Sequence, residues 1–390
     1  MHRGGNQEAD PPAGPSVISQ STTVRLDPTT NGSVSLAIEF TFPDVVTEFT
    51  VTVPSRLSCF ATHGFRCDGD QCVWDGQTQR AHLKGTLQIT DGGPGTYKYV
   101  DAGDWSIIRR PPLSVSYQCL ETNPGLDRQY EVDGEGVASS DGCVIYLGPY
   151  NEHVRVGDHQ LIRLAVPKVA TLRESPVEIL EALTTAANTL EVGGRTQTVL
   201  AIAAPSGVGW GSLGVQSGAN GFWAQDTCRL SDVNNTWLHE YVHTRQEWET
   251  SASAKWLHEG IAEYYAALLT YRQGFAPFTA FYRFVSTRRN SAAVLADPNQ
   301  WTDPYASYTK GRRALAGLDT EIRRRSDHRM TFQDVFRYLN DHEGPVTHGV
   351  LVDAVATTVD ADLEEWLDKY VCGTDLPTVP DEEAAYGQGL

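Results

Sequence analysis

The chain has 390 residues, 40% hydrophobic and 21% charged, which is ordinary globular composition and too long for one small core, so two domains are expected. A net charge of −18 argues against a nucleic-acid partner, because no basic footprint exists to neutralise phosphates. No apolar run of about 18 residues occurs, so no segment reads as a membrane span. The 31 basic residues are 25 Arg and six Lys. An acidic, Lys-poor surface fits a protein kept soluble in a high-salt organism; a GC-rich genome gives the same skew, and both readings stay open.

Residues 1–19 are polar, with Pro11, Pro12 and Pro15, and lack the apolar stretch of a signal peptide; they read as a disordered lead-in. Residues 20–166 read as β. Short runs at 22–26, 34–42, 48–53, 82–89, 114–119 and 160–166 are rich in β-branched and aromatic residues, with turn-forming clusters between them. That spacing predicts a β-sandwich-like domain. Cys67 and Cys72 flank Asp68, Gly69 and Asp70, which suits a disulfide loop at a hairpin better than a zinc ribbon, since no second close pair follows. Buried free thiols are the alternative. A disulfide would point to work outside the cytoplasm.

The pattern changes at 167, and residues 167–375 form the second expected domain. Residues 175–191 have helical spacing, with Val177, Leu180, Leu183, Ala187 and Leu190 on one side. Residues 197–204 read as a buried strand, 206–221 hold six glycines, and 222–224 fit one more short strand. Helices are expected at 232–248, 254–272, 306–325, 331–340, 347–357 and 361–371. The fold class is therefore α+β multidomain, and residues 376–390 read as an acidic mobile tail.

The chemistry concentrates in Trp237-Leu238-His239-Glu240-Tyr241-Val242-His243. Two His at i and i+4 share one helix face and can reach one ion. Glu240 then lies beside the metal, placed to take a proton from water. Ser231 or Asp232 would cap this helix. Trp256-Leu257-His258-Glu259-Gly260-Ile261-Ala262-Glu263-Tyr264 follows on the next helix, and an antiparallel return would bring Glu259 to the two His. Three protein ligands with one open position is a catalytic zinc pattern, whereas a structural site would be closed by four. Glu263, one turn on, could accept the outer N–H of a ligand His.

These two segments resemble the gluzincin zinc metallopeptidases, closest to the glycyl aminopeptidase and aminopeptidase N branches. Tyr308-Thr309-Lys310-Gly311 is similar to the family's Tyr-x-Lys-Gly helix start, and residues 362–377 are similar to the closing helix and Gly-Thr-x-x-Leu-Pro end of the glycyl aminopeptidase catalytic domain. The resemblance implies a thermolysin-like catalytic domain and one zinc ion per chain, held by His239, His243 and Glu259. It implies hydrolysis of peptide or protein substrates by zinc-activated water, with Glu240 as general base. It also implies that Tyr308 hydrogen-bonds the oxyanion, with Tyr305 as the rival for that role.

The chain departs from the family in two places. Only 15 residues separate His243 from Glu259, fewer than is usual. The stretch matching the family's amine-binding segment runs through Gly211, Leu213 and Gly214, and Gly214 stands where the amine-binding Glu would be. These three are the candidate substrate-binding residues, and Trp210 would edge the cleft. No Glu occurs between Glu191 and Glu240, and Asp226 is the only stand-in considered. An endopeptidase or restricted-substrate hydrolase is therefore one alternative, and a non-enzymatic metal-bearing binding protein on a peptidase scaffold is another. Arg312 and Arg313 read as solvated, and His258 as packing.

Overall fold

The computed structural model describes residues 17–27, 31–89, 93–120, 123–359 and 362–387. The chain divides into two compact units, residues 1–92 with 99–149, and residues 93–98 with 150–390. Most of the expected lead-in lies outside the described residues, and its end already belongs to the strand Ile18–Leu26.

The first unit is all β. Its five-stranded sheet runs in the order Leu126–Val132, Ile18–Leu26, Ser33–Thr41, Arg80–Gln88, Leu57–His63, with only the first pair parallel. In Ser33–Thr41, Leu36, Ile38 and Phe40 are buried in strict alternation, the period-2 pattern of a strand with one face on a core. A second sheet, Ser114–Cys119, Val46–Thr52, Gln71–Trp74, Phe65–Asp68, contributes Phe49, Val51 and Cys72 to the same core. A third sheet joins Gly136–Ala138, Ile145–Leu147, Ser106–Ile108 and Val100–Asp101. Cys67 and Cys72 are directly opposed in their hairpin and form a disulfide.

The second unit holds a five-stranded sheet in the order Tyr150–Val156, Leu161–Pro167, Thr198–Ala204, Gly221–Gln225, Gly214–Gln216. Strands up to 167, read from sequence as the end of the β domain, therefore belong to the second unit. The sequence shows a β pattern there but not which sheet it joins. Thr198–Ala204 is buried from its second residue to its last, as a central parallel strand covered on both faces must be. Gly214–Gln216 lies at the sheet edge. Residues 93–98 join this unit: Gly211 N–H donates to the Tyr97 carbonyl at 2.9 Å, and the Trp223 indole N–H to the Lys98 carbonyl at 3.0 Å.

The helices are α1 (Pro176–Thr189), α2 (Thr236–His243), α3 (Trp256–Arg272), α4 (Phe278–Val285), α5 (Ala306–Arg325), α6 (Phe332–Asp341), α7 (His348–Val359) and α8 (Glu364–Leu367). A π-helical turn, Asp368–Cys372, continues α8. α1 starts with a capping box of Ser175 and Glu178. α2 is shorter than the expected 232–248 and is capped by Asn235, whose side chain accepts from Leu238 N–H, instead of by Ser231 or Asp232. α4, dense in aromatics, was not anticipated. At the heart of this unit Asp319, 1% exposed, pairs with Arg323 at 2.9 Å and accepts from the Tyr264 hydroxyl at 2.6 Å and Phe332 N–H at 2.7 Å.

The tail corrects a reading. Tyr386 is fully buried, its ring 5.0 Å from that of Phe281, and Arg272 donates to the Tyr386 carbonyl at 2.7 Å. One buried aromatic anchors a segment whose composition otherwise reads as solvated.

Candidate metal centre

α2 buries Trp237, Leu238, Tyr241 and Val242 completely. This fixes the rotation of the helix and turns His239 and His243 to the opposite face, one turn apart. The chain then reverses, and α3 packs beside α2. The short connection carries a single 3-10 turn, Ala252–Ala254. The two Nε2 atoms of His239 and His243 lie 3.0 Å apart. Glu259 Oε2 lies 3.4 Å from the first and 3.3 Å from the second. This oxygen is buried without a hydrogen-bonded partner. Two imidazole nitrogens and an orphaned carboxylate oxygen on one point are the donor set a divalent cation such as zinc takes. Electrostatics agree. Burial alone would depress His239, yet Glu259, Glu240 and Glu263 around it raise it to about 9, so the pocket calls for positive charge. Burial alone would raise the Glu259 carboxyl, and the two imidazoles hold it well below the usual range.

The outer nitrogens are also addressed. Glu263 Oε1 faces His239 Nδ1 at 3.6 Å, and Glu263 Oε2 accepts from Arg312 at 2.8 Å. His243 Nδ1 meets Gln246 Oε1 at 2.8 Å, while the Gln246 amide donates to the His258 carbonyl. Gln246 was missed from sequence; its position three residues after His243 was the available signal. His258 stacks on the His243 ring at 4.3 Å, and burial depresses it to about 4. Arg312 and Arg313 are not solvated. Arg312 lies over the Phe284 ring at 3.7 Å and donates to the Phe284 carbonyl, and Arg313 donates to the Pro377 carbonyl. Each offers planar donors to carbonyls left free at helix ends and turns.

Tyr308 reaches the same place through a glycine pair. α3 and α5 cross at Gly260 and Gly311, where a Cβ on Gly260 would lie 3.2 Å from the Gly311 carbonyl carbon. That close approach sets Tyr308, one turn before Gly311, against Glu259, one residue before Gly260. The Tyr308 ring is parallel to that of His239 at 6.2 Å; burial, and then the neighbouring Glu259 carboxylate, push its hydroxyl well above the ordinary phenol range. Tyr305 is 55% exposed, with its ring 5.5 Å from Tyr308.

Glu240 is 6% exposed and lies against the edge strand Gly214–Gln216; burial raises its carboxyl. Gly214, on the same strand, is required by that closeness. A Cβ there would lie 2.7 Å from Glu240 Cγ and Oε1 and from Thr236 Cγ2. We expect Gly214→Ala to displace Glu240 and lower kcat by about 10²-fold. Turnover assayed beside zinc content checks this, and a variant that keeps both at wild-type level refutes the packing argument.

Two cavities open on this centre. One of about 630 Å³ is lined by Trp210, Gly211, Leu213, Gly214, His239, Glu240 and Tyr308 among others. The other, of about 790 Å³, is lined by Trp248, His258, Glu259, Trp301 and Tyr308 among others. The three glycine-segment residues and the two catalytic candidates thus share one cavity. Asp226 does not join them: its carboxylate accepts from Thr171 N–H at 2.7 Å and Ser206 N–H at 3.1 Å.

No protein-family model matches the sequence, and no curated protein is similar to it. Solved structures do match in fold. An aminopeptidase N family protein from Idiomarina loihiensis superposes with a TM-score of 0.66 at 11% identity, over 92% of this chain and 77% of that one. An M1 zinc metallopeptidase from Deinococcus radiodurans gives a TM-score of 0.60 at 15% identity, over 93% and 94%. A mutant of the latter, solved with a Tyr-Ser-Ala substrate, gives 0.61 at 14%, over 93% and 95%. The chain therefore has the fold of the M1 zinc metallopeptidases, the gluzincin, aminopeptidase N-like group that its motifs resemble.

Proposed function

We propose that this protein is a zinc-dependent peptidase whose metal is held by His239, His243 and Glu259. The observation that carries the reading is the convergence of these three donors on one point, with His239, Glu240 and Tyr308 lining one cavity. A zinc ion there supplies Lewis acidity toward a peptide carbonyl and lowers the pKa of water. The chain's own groups do the rest. Glu240, packed against Gly214 and Thr236, takes the proton of the attacking water and passes it to the leaving amine. The Tyr308 hydroxyl donates to the oxygen on which negative charge develops. Glu263, itself paired with Arg312, fixes His239 by its outer nitrogen. The edge strand Gly214–Gln216 offers backbone groups to an extended peptide.

One observation bears on which peptides are cut. The carboxylates lining the 630 Å³ cavity are Glu240, which this reading assigns to the water proton, and Glu263, which is paired with Arg312. A substrate's free α-amine would find no unused charge there. This supports a hydrolase for which a blocked amino end is no obstacle.

The test is hydrolysis of a peptide panel, with free and acetylated amino ends, by the protein as isolated, after zinc is chelated away, and after zinc is returned. We expect removal to lower the rate by at least about 10²-fold and zinc to restore it, with acetylated peptides cleaved as well as free ones. Undiminished hydrolysis by zinc-free protein refutes the metal reading, and a strict need for a free amine refutes only the reading of the cavity.

A further inference from the structure

A second group of metal-type donors lies away from the site just described. His348 opens α7, and Asp368 and Cys372 are the first and last residues of the π-helical turn after α8. Cys372 Sγ lies 3.3 Å from His348 Nε2 and Asp368 Oδ1 lies 3.8 Å from that same nitrogen. All three donor atoms lie within 4.8 Å of one another. At the principal centre the corresponding separations are 3.0–3.4 Å, so the two groups are built to a similar scale.

Two arrangements bring Cys, His and Asp together, and the choice of nitrogen separates them. In a nucleophilic triad the acid holds one imidazole nitrogen and the nucleophile the other. Here thiol and carboxylate both face Nε2, while Nδ1 is buried with no hydrogen-bonded partner. Donors that converge on a single point instead of passing along the ring define a coordination site. The wide turn of a π-helix puts residues four apart nearly in line, so Asp368 and Cys372 point to one face; such turns recur at functional sites. His348 is held from behind by its own N–H, which donates to Ser253 Oγ at 3.1 Å. The Asp368 side chain is 64% exposed, leaving a route for an ion and room for a water as fourth ligand.

We propose that His348, Asp368 and Cys372 bind a second zinc-type cation. Thiolate with imidazole selects a borderline-soft metal over calcium or magnesium. Binding releases the thiol proton to solvent. The ion would clamp the turn that ends at Gly373, whose carbonyl accepts from the buried Lys310 at 2.9 Å. Lys310 lies two residues after Tyr308, so this clamp would steady the start of the helix that carries Tyr308.

The test is zinc content of the whole protein after dialysis at fixed free zinc, in the wild type, Cys372→Ser, His348→Ala and Glu259→Ala. We expect two ions per chain in the wild type and one in each variant, with peptidase activity in zinc-saturated Cys372→Ser within about twofold of wild type. Cobalt substitution gives an independent readout: thiolate-to-cobalt charge-transfer absorption present in Glu259→Ala and lost in Cys372→Ser. One ion in both wild type and Cys372→Ser, or no thiolate absorption in cobalt-loaded Glu259→Ala, overturns the proposal and leaves a thiol–imidazole hydrogen bond only. Loss of the principal zinc in Glu259→Ala with no peptidase activity in any form would sink the peptidase reading without touching this one.

Discussion

Glu240→Gln is expected to lower kcat by about 10³-fold while the protein keeps its zinc. The exchange is close to isosteric, so the cavity beside Gly214 and Thr236 stays filled. What disappears is the acceptor of the water proton. A neutral amide cannot take that proton, nor return it to a leaving amine. KM should change little, because in the proposed mechanism Glu240 acts on the reacting atoms and does not hold the peptide. Steady-state kinetics with elemental analysis on the same sample decides the matter. Wild-type kcat with full zinc removes Glu240 from the mechanism, and loss of zinc makes it a ligand or a support for one.

The largest effect on stability is expected from Asp319→Ala, at about 3–5 kcal/mol. Arg323 is 3% exposed and would stay charged and buried while losing its ion pair with Asp319. The Tyr264 hydroxyl and Phe332 N–H would lose their acceptor in the same step. For a unit of this size the loss corresponds to a melting point lower by about 10 °C. Asp319→Asn keeps an oxygen acceptor and should fall between the two. Thermal unfolding of the three proteins measures the order, and an alanine variant within about 1 kcal/mol of wild type shows that Arg323 finds another partner. Tyr264 lies on α3, the helix that carries Glu259 and Glu263, so this network also anchors that helix.

Much of the metal centre was legible because a helix imposes its own spacing. His239 and His243 at i and i+4, and Glu259 and Glu263 at i and i+4, can only face one way once the apolar residues between them are buried. Tyr308 was legible by resemblance alone; nothing local says that a tyrosine some 50 residues on will meet Glu259. That depends on the crossing of Gly260 with Gly311, a tertiary fact. Arg312 was misread as solvated for the same reason, since its partners Glu263 and Phe284 lie on other helices; Gln246 was missed although its spacing from His243 was there to read. In the β unit, strands with a buried face, such as Ser33–Thr41, announced themselves by alternation. Phe65–Asp68 and Gln71–Trp74, short and largely polar, did not. The strand at 150–156, with Val154 and Val156 exposed, carries no inward stripe to read. The boundary near 167 was misplaced because a change from β to helical periodicity marks the start of α1, not the start of a unit.

The membership of residues 93–98 in the second unit has a consequence for how this chain can be handled as a set of parts. The unit that carries His239, His243 and Glu259 is not one continuous length of sequence. A fragment beginning at Tyr150 would lack Tyr97 and Lys98. It would leave Gly211 N–H and the Trp223 indole without their acceptors, on the loop and strand that border the cavity. In genetic terms the two units are interleaved and not in tandem. Recombination that joined the segment from residue 150 to another partner would deliver an incomplete cleft wall, because residues 93–98 would be left behind.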